Sequence, residues 1–233
     1  MGDPQQPDLR PYGRRAFLGM LVGGASALFW ARPVWRGIEG ALSPAADLLP
    51  SQIRSIVPSG WRIYTVADTM PTFDPASWRL RIDGLVERPL TLTYSDLRAL
   101  PQARQVTDFH CVTGWSVDRV RWGGVRIHDL LARAKPRADA GALAFVSAER
   151  PYVDSLTLRQ AYLSDVMLAY DMDGQPLRQE HGAPVRLVIP EMYGYKNVKW
   201  VERITVTRAP VDGYWEQRGY DRNAWVGRSN GYG

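Results

Sequence analysis

Alternating apolar and polar positions predict several short strands along this chain. Residues 78–84 (WRLRIDG) alternate apolar and charged side chains and end at a glycine, residues 90–93 (LTLT) alternate again, and residues 200–206 carry the last alternating run. This pattern is typical of strands with one buried face. The largely apolar, β-favouring runs at residues 143–147 (LAFVS) and 185–189 (VRLVI) predict two further strands.

Helical signals occur between these strands, but they are short. One helix is predicted with Ser95 as its N-cap and Pro101 just beyond its end, and residues 127–134 place apolar side chains at helical spacing. A further helix is expected to begin after Ser155 or Thr157. This irregular order favours a mixed α+β fold, with mixed sheets and short helices, over a doubly wound parallel sheet. The glycine-rich phosphate loop of dinucleotide-binding folds is also missing.

Length and charge narrow the classes of function. The chain has 233 residues, 45% of them hydrophobic, which is enough for one domain with a substantial core. The formal net charge is +5, but the positive residues form no long run, so a nucleic-acid partner is not indicated. The modest positive excess instead favours an anionic cofactor.

The chain opens with an export-type segment. Arg14 and Arg15 precede Phe17 and Leu18, and an uncharged stretch continues to residue 31. This order is typical of a twin-arginine export signal, and the stretch is shorter than the ~20 residues that cross a bilayer comfortably. We expect residues 1–46 to be a signal or membrane anchor with a linker, and residues 47–233 to be the folded domain. The expected location is the periplasm or the outer face of the cytoplasmic membrane.

The chain has a single cysteine, Cys111, at the end of a predicted strand, residues 105–109. A solitary thiol in an oxidising compartment cannot form a disulfide within its chain, and it is open to oxidation unless it is buried, ligated or catalytic. One interpretation is a small core residue, because free cysteines are commonly buried. The other is a metal ligand. The three histidines and this cysteine lack the spacing of a zinc site.

Three segments together resemble the molybdopterin-binding domain of the sulfite oxidase superfamily. They are residues 109–116 (FHCVTGWS), 180–190 (EHGAPVRLVIP) and 193–200 (YGYKNVKW), and the resemblance extends over about residues 61–219. Within the superfamily, the likeness is to the exported bacterial branch that includes the catalytic subunit of periplasmic methionine sulfoxide reductase. The resemblance implies a sulfite oxidase-type α+β fold and a molybdenum–molybdopterin cofactor.

The resemblance also implies roles for individual residues. Cys111 falls where the family has its molybdenum ligand, so its thiolate is expected to bind the metal at the catalytic centre. Upstream contacts are expected around Arg62 and Tyr64, although the family's pattern is not reproduced there. Arginine and lysine suit a phosphate because they form charge-assisted hydrogen bonds. The residues implied to contact the pterin and its phosphate are Ser147, His181, Arg186, Asn197, Val198 and Lys199.

The implied activity is oxygen-atom transfer at a cysteine-ligated oxo-molybdenum centre. The turn after Cys111 lacks the arginine pair of sulfite oxidases, and Trp115 and Tyr193 suggest an aromatic wall for a neutral or organic substrate. We therefore expect sulfoxide reduction. The alternatives are oxidation of sulfite or another small molecule by the same centre, and a non-catalytic binding domain that keeps the fold.

A redox partner is expected as well. The sequence contains no heme attachment motif, so electrons are expected to pass to or from a separate electron-transfer protein, such as a membrane heme or quinone-linked subunit. The N-terminal segment gives a second expected interaction, which is anchoring to the membrane.

Overall fold

The computed structural model describes residues 60–229 of the chain. In this part, ten strands form two sheets, and three α-helices and three 3-10 helices accompany them. The predicted signal or anchor and the first residues of the predicted domain lie outside the described residues. Between residues 60 and 229, no helix is both long and apolar enough to cross a membrane.

The first sheet consists of β1 (Leu80–Gly84), β2 (Leu90–Leu92), β5 (Ala142–Ser147), β6 (Val153–Thr157) and β10 (Val201–Thr207), in the order β2-β1-β10-β5-β6. The alternating runs at residues 78–84, 90–93 and 200–206 account for β1, β2 and β10, whereas β6 was not predicted. Strands β1 and β10 are parallel, and the other neighbours are antiparallel, so the sheet is mixed. The largely apolar run at residues 143–147 forms β5, as predicted, and five of the six residues of this strand are buried.

The second sheet is antiparallel and contains the segment around the single cysteine. It consists of β3 (Ala103–His110), β4 (Ser116–Arg126), β7 (Met167–Met172), β8 (Gln175–Pro176) and β9 (Arg186–Val188). The order is β3-β4-β7-β8, and β9 pairs with β7. Strands β3 and β4 form a long hairpin that closes at the pair His110 and Ser116, so Cys111 lies in the connecting turn.

The helices are α1 (Tyr94–Ala99), α2 (Ile127–Ala134) and α3 (Leu158–Ala161). Helix α2 has the predicted bounds, and α3 begins after Thr157, as one of the two predictions stated. The predicted N-cap of α1, Ser95, is wrong. Thr93 caps this helix because its hydroxyl accepts from the Asp96 N–H while the Asp96 carboxylate accepts from the Thr93 N–H. This reciprocal capping box gives hydrogen-bond partners to the N–H groups of both Thr93 and Asp96.

Two apolar clusters cover the two faces of the second sheet. The main core joins β1, β5 and β10 of the first sheet to one face of β4, β7 and β9, and α2 packs into it. The opposite face carries a smaller cluster around Trp122, against which Trp61 and Phe109 pack. The mixed α+β prediction is confirmed. The smaller cluster supports β3, the strand that leads to Cys111, because Phe109 of this strand packs against it.

Candidate functional site

Cys111 opens a hydrogen-bonded turn between β3 and β4. Its N–H donates to the Trp115 carbonyl at 2.9 Å, and the Gly114 N–H donates to the Cys111 carbonyl at 3.0 Å. The thiol sulfur lies 3.2 Å from the Thr113 hydroxyl oxygen, and the residue is partly exposed. Partial exposure in a turn disfavours the interpretation of Cys111 as a core residue. The thiol is instead held where a ligand can approach from outside the hairpin.

Arg186 is a buried cation without a carboxylate partner in the described part of the chain. It lies on β9 with 3% of its surface exposed, and its guanidinium donates to the carbonyls of His181 and Asn197 at 3.3 Å each. Its Nε is buried without a hydrogen-bond partner among the described residues. Burial lowers the pKa of Arg186 to about 10, so the side chain stays charged at neutral pH. A buried charge of this kind favours binding of an anion.

Lys199 supplies a second cation beside Arg186. Its ammonium donates to the carbonyls of Tyr64 at 2.8 Å and Glu180 at 3.4 Å, and it lies 4.1 Å from the ring centroid of Trp200. Burial, and then repulsion by the Arg186 guanidinium, lower the pKa of Lys199 to about 8. No carboxylate in residues 60–229 forms an ion pair with this ammonium. The two neighbouring cations therefore reinforce each other as an anion-binding pair.

His181 is a neutral hydrogen-bonding group in the same place. Only 1% of its surface is exposed, its Nε2 lies 3.4 Å from a guanidinium nitrogen of Arg178, and its Nδ1 has no partner among the described residues. Burial, followed by repulsion from Arg186, lowers the pKa of His181 to about 4. The imidazole is therefore uncharged at neutral pH and can offer one free nitrogen to a polar ligand.

The side chains of Ser147 and Asn197 hold the protein's own backbone. The Ser147 hydroxyl donates to the Lys199 carbonyl at 2.8 Å and accepts from the Glu149 N–H at 2.9 Å. The Asn197 amide oxygen accepts from the Ile189 N–H at 2.7 Å. Val198 is buried beside them. In this structure the three residues support the chain next to Lys199, and the direct cofactor contacts implied for them stay predictions.

Phe109 connects these groups to the cysteine turn. The Arg186 guanidinium carbon lies 5.3 Å from the Phe109 ring centroid, and Phe109 precedes Cys111 by two residues. Gly194 packs directly against the Phe109 ring. A Cβ at position 194 would lie only 2.5 Å from the ring carbon Cζ. Arg186 and the turn that carries Cys111 therefore adjoin one aromatic side chain.

The aromatic wall beside Cys111 differs from the predicted one. The Trp115 ring contacts the rings of Phe109, Trp61 and Tyr64, with centroids 5.7, 6.1 and 6.4 Å apart. Tyr193 instead packs against the main core, and its hydroxyl donates to the Ser229 carbonyl. Of the two upstream residues, Tyr64 reaches Lys199 through its backbone carbonyl.

Arg62, the other upstream residue, is exposed on the surface. Its cofactor contact stays a prediction, because no contact in the described structure joins its side chain to Arg186, His181 or Lys199.

The chemistry of these residues fits a phosphorylated pterin. Two cations without carboxylate partners match a phosphate, and the unpartnered Nδ1 of His181 and Nε of Arg186 match a polar ring system with donors and acceptors. A metal site built from protein side chains alone does not fit, because residues 60–229 contain no cluster of three His, Cys, Asp or Glu ligands. The zinc alternative is not supported there.

Residues 67–215 match the family described as the oxidoreductase molybdopterin binding domain. The chain belongs to this family. It is therefore a molybdenum–molybdopterin-dependent oxidoreductase, and the predicted cofactor and enzyme class are confirmed.

Similar proteins place this molybdopterin-binding domain in the sulfite oxidase superfamily. The chain is 34% identical over 194 residues to the putative protein-methionine-sulfoxide reductase subunit YedZ1 of Azospira oryzae, covering 82% of this chain and 72% of that protein. It is 30% identical over 178 residues to sulfite oxidase of Arabidopsis thaliana, covering 62% of this chain and 45% of that protein. The sulfane dehydrogenase SoxCD from Paracoccus pantotrophus has a similar structure, with a TM-score of 0.59 and 28% identity over 65% of this chain and 43% of that chain.

Two residues around this site, Trp61 and Lys196, were not predicted from the sequence. Trp61 packs edge-on against His181, with ring centroids 5.0 Å apart, although the two residues are far apart in the sequence. Lys196 is fully buried. Neither role carries a local signal: the partner of Trp61 is 120 residues away in the sequence, and a lysine is usually expected at the surface.

Proposed function

We propose that the protein is the exported catalytic component of a sulfoxide reductase, with Cys111 as the molybdenum ligand. The observation that carries this proposal is a pair of cations without carboxylate partners in the described chain, the buried Arg186 and the half-buried Lys199. Arg186 lies over Phe109, two residues before the chain's single thiol. Cations without carboxylate partners are stabilised by a bound anion, so the pair is placed for the pterin phosphate. When bound, the cofactor supplies two-electron oxygen-atom transfer.

Each residue has a distinct task in this proposal. Arg186 and Lys199 bind the phosphate, and the free Nδ1 of His181 bonds to the pterin. Because the pKa of His181 lies far below neutrality, it adds hydrogen-bonding capacity without a third charge. Asn197 and Ser147 keep the backbone around Lys199 in place. Cys111 holds the metal through its thiolate, a soft ligand suited to molybdenum.

The surroundings of Cys111 favour a neutral substrate over an anion. Residues 111–118 contain no arginine or lysine, whereas Trp115, Trp61 and Tyr64 form an aromatic surface there. Aromatic rings interact favourably with sulfur and with apolar groups. Reduction of a sulfoxide consumes two electrons and two protons and releases a thioether and water. The relative from Azospira oryzae carries a sulfoxide reductase name, which supports the same direction.

Sulfite oxidation is the second candidate, because the chain is also similar to a protein named sulfite oxidase. A sulfite dianion would need cations of its own beside the cysteine turn; residues 111–118 supply none, and Arg186, which lies over Phe109 next to the turn, is assigned to the phosphate in this proposal. For either reaction, the electrons pass to or from a separate protein. A subunit role is consistent with the name of the Azospira relative.

Metal analysis and paired turnover assays test this proposal. The full chain is purified from a host that makes the molybdenum cofactor, and molybdenum and pterin are measured per chain. Methionine sulfoxide with a reduced viologen dye, and sulfite with ferricyanide, are then compared. Molybdenum with sulfoxide turnover is the expected result. Turnover of sulfite alone would transfer the assignment to the second candidate, and turnover of neither substrate by molybdenum-loaded protein would overturn both assignments.

A further inference from the structure

Lys196 is enclosed in the protein between two acidic side chains. Its ammonium donates to the Asp154 carboxylate at 2.5 Å and to the Glu216 carboxylate. The side chains are 1%, 2% and 2% exposed for Lys196, Asp154 and Glu216. Lysine is almost never buried to this degree without a charged partner. This lysine therefore differs from Lys199, three residues later, whose cation has no carboxylate partner within the described chain.

The bridge joins three segments that are distant in the sequence. Lys196 ends the 3-10 helix Gly194–Lys196, Asp154 lies on β6, and Glu216 begins the 3-10 helix Glu216–Arg218. The next residue after Lys196 starts the segment 197–199, which carries the proposed cofactor contacts. A restraint at Lys196 therefore acts on the backbone immediately before this segment.

We propose that Lys196 is a positioning residue, whose bridge to Asp154 and Glu216 holds the segment 197–199 in the conformation that binds the molybdopterin. This inference rests on the proposed function in one respect, since it takes that segment to contact the cofactor. Lys196 itself does not bind the phosphate in this account, because its charge is already compensated by the two carboxylates.

Contacts around the bridge show how firmly the 3-10 helix is held. The Tyr152 hydroxyl donates to the Tyr195 carbonyl at 2.6 Å, and the Gly213 N–H donates to the second oxygen of Glu216 at 2.7 Å. Gly213 also lies against Asp154, where a Cβ would come within 2.8 Å of the carboxyl carbon. Close packing of this kind leaves the ammonium little room to move away from either carboxylate.

Asn197 links the 3-10 helix Gly194–Lys196 to Arg186 through hydrogen bonds. Its N–H donates to the Gly194 carbonyl at 3.1 Å, and its own carbonyl accepts from the Arg186 guanidinium at 3.3 Å. Its amide oxygen accepts from the Ile189 N–H next to β9. A shift of the helix therefore moves a group that orients Arg186.

Electrostatics makes the lysine necessary for this arrangement. Burial raises the pKa of Asp154, while the Lys196 ammonium opposes that rise and the Glu216 carboxylate adds to it. Without the ammonium, two buried carboxylates face each other and repel. Removal of Lys196 is therefore expected to displace Asp154, Glu216 and the chain between them.

Four variants of the full chain separate positioning from general stability. Lys196→Met removes the bridge, and Lys196→Arg keeps a cation. The triple variant Lys196→Met, Asp154→Asn, Glu216→Gln removes the bridge without leaving unpaired charges, so it remains informative if the single variant does not fold. The control is Arg98→Met, which breaks an ion pair with Asp171 at 2.9 Å on α1 and β7.

Three measurements are made on each variant, namely the unfolding midpoint of cofactor-free protein, hydrogen exchange of residues 194–200, and molybdenum retained after desalting. For Lys196→Met or the triple variant, we expect faster exchange across the segment and at least a roughly tenfold loss of retained cofactor, the size of one lost charge-assisted contact. Lys196→Arg is expected to recover part of the retention. Arg98→Met is expected to change the midpoint alone.

Unchanged exchange and retention in the folded triple variant would overturn the inference. An equal loss of cofactor in Arg98→Met would also overturn it, because the effect would then follow general stability. Failure of the proposed site is recognised separately by Arg186→Met. If Arg186→Met keeps its cofactor, the assignment of Arg186 to the phosphate is wrong. The result with the Lys196 variants tests the role of the bridge to Asp154 and Glu216 and is judged separately.

Discussion

The Arg186 guanidinium lies over the ring of Phe109, with 5.3 Å between the guanidinium carbon and the ring centroid. Arg186 comes from β9, and Phe109 lies at the end of β3, two residues before Cys111. The same guanidinium is 5.3 Å from the ring centroid of Trp122 on β4. Aromatic faces stabilise a cation without neutralising it. Arg186 is therefore held beside the cysteine turn with its charge still available to an anion.

Replacing the thiol tests the metal assignment. Cys111→Ala is expected to abolish turnover and reduce molybdenum content sharply, because alanine cannot ligate the metal. The fold is expected to persist, since the turn is closed by backbone hydrogen bonds between Cys111 and Trp115 and between Gly114 and Cys111. Molybdenum content, turnover and the unfolding midpoint check these outcomes.

Thr113→Val is the matched control for this variant, because it removes the hydroxyl 3.2 Å from the sulfur and keeps the thiol. It is expected to retain molybdenum. Full activity in Cys111→Ala would remove the ligand assignment.

Removing the buried guanidinium should separate cofactor binding from stability. Arg186→Met is expected to reduce cofactor retention at least tenfold, since a charge-assisted hydrogen bond contributes about 1.5–3 kcal/mol. The unfolding midpoint of the cofactor-free protein is expected to stay level or rise, because an uncompensated buried charge is lost. Arg203→Met, which breaks the ion pair with Asp83 at 2.8 Å, provides a comparison that should retain the cofactor. Equal retention in both variants would contradict the phosphate role.

The pKa of Lys199 predicts how anion binding depends on pH. The pKa is about 8 in the folded chain, against an ordinary value of 10.5, because burial and Arg186 disfavour the charged form. An anion needs the protonated ammonium, so affinity should fall as pH rises through 8. Calorimetry with sulfate, whose charge is constant in this range, is expected to show about a tenfold loss between roughly pH 7 and pH 10. Lys199→Met should flatten this dependence.

The stability of the cofactor-free protein should follow the opposite trend. Between pH 8 and 10.5 the unfolded chain binds the proton of Lys199 more strongly than the folded chain does. The free energy of unfolding should therefore rise with pH in this window. Chemical denaturation at several pH values checks the sign, and a fall that depends on Lys199 would contradict the lowered pKa.

Gly182 allows the chain to approach Lys199 closely. Its φ is +104°, and a Cβ would lie 2.9 Å from the Lys199 Cβ. Gly174 has a φ of +80° with no atom within 4 Å of such a Cβ. Both Gly→Ala variants should lose about 1 kcal/mol of stability from the left-handed backbone, but only Gly182→Ala should also lose cofactor. Melting curves and molybdenum analysis distinguish them, and equal cofactor loss would refute this contact argument.

Export through the twin-arginine route is tested at the N-terminus. Replacing Arg14 and Arg15 with lysine is expected to keep the protein in the cytoplasm, because this pathway reads the arginine pair rather than charge alone. Fractionation with an antibody against the folded domain measures the distribution. A single change at Arg10, outside the pair, should leave export intact. Unchanged export of the double variant would rule out dependence on this signal.

The sequence by itself indicated β1, β2, β3, β5, β9 and β10, helix α2 and, through its family resemblance, the class of cofactor, whereas β4, β6, β7 and β8 were not predicted. The alternation in β1 and the helical spacing in α2 arise from the side-chain periods of two and 3.6 residues, which are local properties. The motifs around Cys111 and Arg186 were sufficient for the family because the chemistry of the cofactor limits which residue types can hold it. The wrong N-cap prediction at Ser95 shows how far local sequence signals reach. Several neighbouring residues could cap helix α1, and Thr93 does so because it forms a reciprocal pair with Asp96.

Only the tertiary structure decided which cations are free to bind an anion. Lys196 and Lys199 lie three residues apart in one loop and look equivalent in the sequence. Lys196 is compensated by Asp154 and Glu216, which are 42 and 20 residues away, whereas Lys199 has no ion-pair partner in the described chain. Charge compensation depends on distances through space, and the fold alone brings these distant segments together.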